Sequence, residues 1–229
     1  MRSVLLFLLI VVSAVTSAQT IDVVTFASRP GVEYVPVREA AKRLGWPLEY
    51  DSAVELIKLR GATLDPLAPR LSDGTWLISV TDLGQLGADV EGAKISFGGR
   101  FFVMKAGPKR VEVDVRKQLL RAWQGGRLVY EWPVSSGREG KDTPNGDFKA
   151  LEKEPMHISK LYGSPMPFSV HVAGNIYIHG SDRFSGAPGS HGCIRLPLME
   201  TRNIAEEFYD WIETGTPIKI RGAYEFGKR

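Results

Sequence analysis

The feature that most constrains this chain of 229 residues is its single cysteine, Cys193. One cysteine cannot form an internal disulfide, so the fold must be held by apolar cores, and any chemistry at Cys193 must use a free thiol. The chain opens on Met1-Arg2-Ser3, an apolar run from Val4 to Val15, and Thr16-Ser17-Ala18. This reads as a secretory signal peptide over residues 1–18, cleaved after Ala18. The run of twelve residues falls short of the roughly twenty a membrane span needs, so no stable span is expected after processing. An uncleaved N-terminal anchor is the alternative, and a lipoprotein anchor is excluded because no cysteine follows the run. Export would carry the thiol into a compartment that oxidises thiols, where it persists for a reason. The bland reading of Cys193 is a small buried apolar residue.

Cys193 lies in Ile176–Pro197, which reads IYIHGSDRFSGAPGSHGCIRLP and holds two of the four histidines. His179 ends the strand-like run Ile176-Tyr177-Ile178. His191 stands two residues before the cysteine, at the far end of a Gly/Ser/Pro-rich loop. A thiol of ordinary pKa, roughly 8.5, is only a few per cent ionised at neutral pH and needs a base. A histidine on a strand facing a cysteine on a returning loop is such an arrangement. Gly192 removes a side chain where a substrate carbonyl would approach, and the N–H groups of His191, Gly192 and Cys193 are candidates for an oxyanion hole. Zinc held by His179, His191 and Cys193 is a competing use of the same atoms, made awkward by the spacing of two between His191 and Cys193.

The His-Gly pair, the loop and Ser190-His191-Gly192-Cys193-Ile194-Arg195-Leu196 resemble the signature of the L,D-transpeptidases of the YkuD family. Further family-like pieces are Val113-Asp114-Val115, Gln118-Leu119-Leu120, the Gly125-Gly126 turn, Val134-Ser135-Ser136-Gly137 and Thr143-Pro144-Asn145-Gly146-Asp147-Phe148, so the resemblance spans residues 109–222. It implies that Cys193 is the acylated nucleophile and His179 the proton acceptor and donor, with His191 a second active-site group. It places substrate and oxyanion binding at Gly192, Ser190, Gly180 and Arg195. The chain departs from the fuller family pattern in having only ten residues between His179 and Ser190, and Arg195 where an asparagine often stands. Arg195 has a fork suited to a substrate carboxylate, and it can equally brace the loop. The implied activity is cross-linking of peptidoglycan stem peptides in the periplasm or cell wall through a cysteine thioester, with no cofactor. Hydrolysis of the same thioester, as an L,D-carboxypeptidase, and a non-catalytic wall-binding protein are the alternatives.

Residues 19–105 read as a separate small α+β module. Thr20–Phe26 is strand-like, and Val37–Leu44 is a helix burying Ala40, Ala41 and Leu44 before Gly45 stops it. A shift of 42 residues lays Tyr34-Val35-Pro36 on Trp76-Leu77-Ile78 and Leu44-Gly45 on Leu86-Gly87, a weak internal repeat. The stretch YVPVREAAKRLGW resembles the N-terminal module of copper amine oxidases. The resemblance implies no copper, since residues 19–105 contain no His or Cys. A spacer, a wall-binding module and a packing scaffold all fit.

Gly98-Gly99 and Lys105–Pro108 mark a boundary with a short linker. Beyond it, Arg110–Val115 alternates as a strand, and residues 118–134 form a hairpin around Gly125-Gly126. Lys153–Phe168, rich in proline, reads as a loop long enough for a substrate flap. Pro197 opens a helix with Ile204, Phe208 and Ile212 in register, and Thr216–Arg221 is a last strand. The expected catalytic fold is a mainly antiparallel β sandwich or open barrel with one packed helix. His157 and His171 read as ordinary surface or satisfied core histidines, and Trp123, Trp132 and Tyr177 as packing. Hydrophobic residues make up 43% and the net charge of +3 is spread along the chain, which gives no support to a nucleic-acid or membrane-surface partner and says nothing of oligomeric state.

Overall fold

The computed structural model describes residues 19–52, 56–199 and 203–227. The expected signal peptide, residues 1–18, lies outside them. Among the described residues no helix is long and apolar enough to cross a membrane.

The first half comprises β1 (Thr20–Asp22), β2 (Val24–Phe26), β3 (Arg29–Pro36), α1 (Val37–Leu44), β4 (Leu48–Asp51), β5 (Leu56–Leu59), β6 (Ala62–Thr63), β7 (Leu77–Ser79), α2 (Val80–Gln85), β8 (Asp89–Glu91), β9 (Lys94–Phe97) and β10 (Arg100–Lys105). The repeat is real in the backbone. β3 leads into α1 and β7 into α2, and the two strands pair antiparallel with Val35 opposite Ile78. α1 ends at Gly45, whose φ of 70° is the left-handed conformation that closes a helix with little strain only in glycine. α2 starts from Ser79, whose hydroxyl oxygen accepts the Asp82 N–H at 3.0 Å. Thr20–Phe26 is not one strand, since β1 runs parallel to β10 while β2 pairs with β3 in another sheet. Gly98-Gly99 is the tight turn of the β9–β10 hairpin, and only three residues separate β10 from the next strand.

The second half comprises β11 (Lys109–Asp114), β12 (Leu119–Gln124), β13 (Arg127–Pro133), β14 (Gly146–Lys149), β15 (Lys153–Ile158), β16 (Pro165–Ala173), β17 (Ile176–Ser181), β18 (Ile194–Pro197), α3 (Ile204–Trp211) and β19 (Pro217–Arg221). One sheet has the order β13-β12-β11-β19-β14 and another β15-β16-β17-β18. Most pairs are antiparallel, but β11–β19 and β17–β18 are parallel. Val113, Leu120, Val170, Ile178 and Ile194 from the two sheets meet Phe208 and Trp211 of α3 in one apolar cluster.

Two expectations are corrected. Lys153–Phe168 is mostly hairpin rather than loop. β15 is an edge strand, and residues 165–167 of β16 pair with β15 alone, so the prolines leave no ladder bond unmade on the free side. Pro197 ends β18 and opens no helix. α3 begins at Ile204, where the Asn203 side chain accepts the Glu206 N–H at 3.2 Å. The far end of α3 is capped by two lysines, Lys109 on the Trp211 carbonyl at 2.7 Å and Lys153 on the Ile212 carbonyl at 2.8 Å.

The two halves do not have wholly separate cores. Val24, Phe26, Tyr34, Leu71 and Leu77 belong to the same apolar cluster as the second half, while α1, α2 and the β8–β10 sheet enclose another. Arg127 closes the junction with a bidentate pair to Glu39 at 2.8 Å and a bond from Nε to the Asp22 carbonyl at 3.0 Å. Gln124 and Thr25 exchange two bonds of 3.0 Å beside it.

Candidate active site

The site is written into the register of β17 and β18. Ile178 pairs with Ile194 and His179 with Arg195, so Tyr177 stands beside Cys193, the residue that leads into β18. Strand alternation then divides the side chains. Ile178 and Ile194, both 0% exposed, point into the core. Tyr177, His179, Cys193 and Arg195 share the opposite face and line a cavity of about 800 Å³.

His179 is buried, and its Nδ1 lies 2.7 Å from the Gly180 carbonyl oxygen. That oxygen can only accept, so Nδ1 carries the proton and Nε2 keeps its lone pair for the cavity. Burial pushes the His179 pKa down to about 4, against the Gly180 hydrogen bond, which favours the charged ring, and with Arg195 and His157 adding repulsion. The imidazole is therefore neutral at ordinary pH. Burial also raises the Cys193 thiol, partly offset by the Tyr177 N–H and by Arg195. The cavity thus holds a thiol and a neutral imidazole on the same strand face. The thiol points toward the Asn175 carbonyl, 3.5 Å away.

The loop carrying Cys193 is fixed by buried polar groups. Ser190 Oγ accepts the Gly192 N–H at 3.0 Å and donates to the Cys193 carbonyl at 2.6 Å. Thr143 accepts the Gly137 N–H and donates to the Gly192 carbonyl, each at 2.8 Å. Ser135 Oγ accepts the N–H groups of Ser185 and Gly186, and the Ser136 carbonyl those of Gly189 and Ser190. Gln118 braces Ser136 in turn, accepting its N–H at 2.8 Å and donating to its hydroxyl at 2.7 Å. Gly192 has φ +119°, and a Cβ there would stand 2.9 Å from Ile176 Cδ1, so the position excludes larger residues.

Cys193, His179, Ser190, His191 and Arg195 all line the cavity. Gly180 and Gly192 differ from expectation. A Cβ on Gly180 would lie 2.5 Å from Leu198 Cδ2 and 3.0 Å from Ala205 Cβ, so its backbone faces packing, and its contribution is the carbonyl that sets the His179 tautomer. The Gly192 N–H is not an open oxyanion donor, being given to Ser190. The His191 ring is exposed and stacks on Tyr162, at the tip of the β15–β16 hairpin, at 4.3 Å. Arg195 Nη1 donates to the Gly189 carbonyl at 3.2 Å, which is the bracing role. Among the described residues no group of three or more His, Cys, Asp or Glu side chains is placed to hold a metal ion, His179, His191 and Cys193 included.

His157, His171 and Tyr177, read from the sequence as ordinary or packing residues, form one ring stack at the cavity wall. The Tyr177 ring is sandwiched between the two imidazoles at 4.6 and 4.7 Å, and all three line the cavity. The pairing of β16 with β17 places His171 opposite Tyr177. Gln118, Ser135, Ser136 and Thr143 lay in segments already singled out, without a role.

Residues 108–220 match the YkuD family, described as the L,D-transpeptidase catalytic domain. L,D-transpeptidase 1 of Mycobacterium tuberculosis is 27% identical over 116 residues, which is 43% of this chain and 45% of that protein. The chain thus spans less than half the length of this relative. Among solved structures, an L,D-transpeptidase of Stackebrandtia nassauensis is 26% identical, with a TM-score of 0.47 over 51% of this chain and 57% of that one. One from Xylanimonas cellulosilytica is 30% identical, with a TM-score of 0.42 over 51% and 62%.

Proposed function

We propose that this chain, whose residues 108–220 form a YkuD-type L,D-transpeptidase catalytic domain, is an exported enzyme that cross-links peptidoglycan stem peptides through a thioester on Cys193. The observation that carries this reading is the neutral His179, tautomer set by the Gly180 carbonyl, on the same strand face and in the same cavity as the only thiol of the chain.

His179 Nε2 takes the thiol proton as Sγ attacks the amide carbonyl between an L centre of a diamino acid and a terminal D-amino acid. The oxyanion is met by the Cys193 N–H on the braced loop, held in place before the reaction. Collapse breaks the C–N bond. His179 returns its proton to the leaving amine, and the D-amino acid departs, leaving the thioester. The side-chain amine of a second stem then attacks the thioester carbon, its proton passes to His179, and the thiol leaves with that proton as the new amide forms. The raised thiol pKa fits this sequence, because the neutral pair needs no thiolate at rest. The N-terminal half serves as a scaffold that shares a core with the catalytic domain.

The test is incubation of the mature chain, and of Cys193→Ala, with purified disaccharide-tetrapeptide, followed by mass spectrometry. Released D-amino acid together with joined dimers, both absent with Cys193→Ala, is the expected result. Tripeptide without dimers would make water the acceptor, and no Cys193-dependent change would overturn the assignment.

A further inference from the structure

The nucleophile rests against one turn. β16 and β17 are joined by Gly174 and Asn175, with Ala173 opposite Ile176. The Cys193 thiol donates to the Asn175 carbonyl at 3.5 Å, the Tyr177 N–H is hydrogen-bonded to Cys193, and a Cβ on Gly192 would stand 2.9 Å from Ile176 Cδ1. Three consecutive residues, Asn175 to Tyr177, thus abut Gly192 and Cys193. A thiol has one hydrogen to give. While Asn175 accepts it His179 does not, and the Cβ–Sγ bond has to rotate before that proton can pass to the imidazole.

The same turn is held from its other side by His171. Its Nε2 lies 2.9 Å from the Gly174 carbonyl oxygen, which can only accept, so Nε2 carries a proton. This is so in the neutral ring, where Nδ1 keeps its lone pair, and in the charged ring, where Nδ1 carries a second proton and faces Glu152 Oε2 at 3.5 Å. The bond to Gly174 therefore survives titration of the ring. The register slips between His171 and Ala173, and this bulge lets the ring reach a carbonyl three residues on. His171 is itself anchored, its N–H donating to the Glu152 carbonyl at 2.9 Å, its carbonyl accepting the Leu151 N–H at 2.8 Å and its ring stacking on Tyr177 at 4.7 Å.

We propose that the Gly174–Asn175 turn is a bracket that holds the thiol hydrogen off the base between turnovers, and that His171 is the positioning residue that sets it. The inference rests on the catalytic reading for the roles of Cys193 and His179, and adds to it what the thiol does before it attacks. His171 works through Gly174 and Tyr177 and takes no part in the proton transfer. A thiol kept protonated is the slow form toward oxidants, which suits an exported lone cysteine.

The chain's only cysteine makes its S–H stretch a single infrared band, clear of other protein absorption, and the band falls in frequency when the thiol donates a hydrogen bond. His171→Phe keeps a ring on Tyr177 and loses the donor to Gly174, whereas His171→Gln loses the stack and places an amide N–H near the position of Nε2. Both are uncharged, so the difference between them isolates the hydrogen bond from the charge of an imidazolium. The parent and His171→Gln should show the hydrogen-bonded band, and His171→Phe a band moved toward the free-thiol frequency. Iodoacetamide labelling at neutral pH should be about two- to fivefold faster in His171→Phe than in His171→Gln, the factor that a weak S–H···O contact is worth. Gly174→Val forces a β-branched residue onto φ +51°, disturbs the turn without touching His171, and should move the band the same way. A free-thiol band in the parent, a band that moves in His171→Gln instead of His171→Phe, or one unmoved in every variant overturns the bracket. No substrate enters these measurements, so a parent that releases no D-amino acid from tetrapeptide sinks the catalytic reading while the band still judges the contact.

Discussion

The N-terminal half and the catalytic loop are both attached to the same β sandwich, but by opposite kinds of bond. The first buries Val24, Phe26, Tyr34, Leu71 and Leu77 in a shared apolar cluster, with Arg127–Glu39 at its edge. The second, residues 182–193, is tied down by the hydroxyls of Ser135, Thr143 and Ser190 and the backbone around Ser136. Apolar attachment is non-directional and tolerates small shifts, whereas a lattice of buried hydrogen bonds fixes atoms to a few tenths of an ångström and leaves costly orphans when cut. Damage to the first attachment should therefore appear in stability, and damage to the second in rate.

The largest effect should come from the group the loop is built to face. His179→Gln is expected to lower the rate of acylation by about 10²–10⁴ while the fold persists, measured as D-amino acid release against thermal melting. His179 also gives the comparison a pH handle. Its folded pKa, about 4, lies below the unfolded value of 6.5, so the folded state resists the proton that the unfolded chain accepts. Stability from this source is complete above pH 6.5 and is lost as pH falls toward 4, by about 3 kcal/mol if the full difference is realised. Urea titrations between pH 7 and 4 should show a shallower loss in His179→Gln than in the parent, and equal slopes would refute the burial of a neutral imidazole. Because burial raises the Cys193 thiol above its ordinary range, iodoacetamide labelling of the resting enzyme should keep climbing into the alkaline range instead of levelling near neutrality.

Thr143→Val cuts the loop lattice at one point and removes no charge. The Gly137 N–H and the Gly192 carbonyl, both bonded to Thr143 Oγ1, are left without it at buried positions, a cost of about 1–3 kcal/mol for each group that finds no substitute. Since that carbonyl directly precedes the nucleophile, the rate should fall by roughly ten- to a hundredfold from misplacement, more than the melting shift alone explains. A variant that melts lower yet acylates normally would show that the loop does not depend on this tie.

Period-two alternation and turn residues made much of this legible. Gly45 and Gly125-Gly126 sit where the sequence places them, and the repeat of strand and helix follows from apolar spacing alone. Local pattern failed where tertiary pairing decides. The prolines of Lys153–Phe168 look like loop residues until the pairing of β16 with β17 is known to end at Val170. Cys193 and His179 were plain because their chemistry is rare. Thr143 and Gln118 were not, since their work is done across gaps of 49 and 18 residues by bonds no spacing encodes. His171 and Tyr177 needed only the pairing of β16 with β17, which the sequence does not state.

The smallest effect tests the other attachment. Arg127, 15% exposed, joins the two halves through three hydrogen bonds, two of them to Glu39, which is 43% exposed. That exposure and the high dielectric of the rim limit what the pair contributes, and the Arg127→Ala loss should be about 1–2 kcal/mol in a urea titration, most of it from the Asp22 carbonyl bond and lost packing of the stem. Acylation at 25 °C should stay within twofold of the parent, because none of these contacts reaches the loop. A large rate loss with unchanged stability would mean that the N-terminal half positions the cavity as well as supporting the core, and the division between apolar support and hydrogen-bonded chemistry would have to be abandoned.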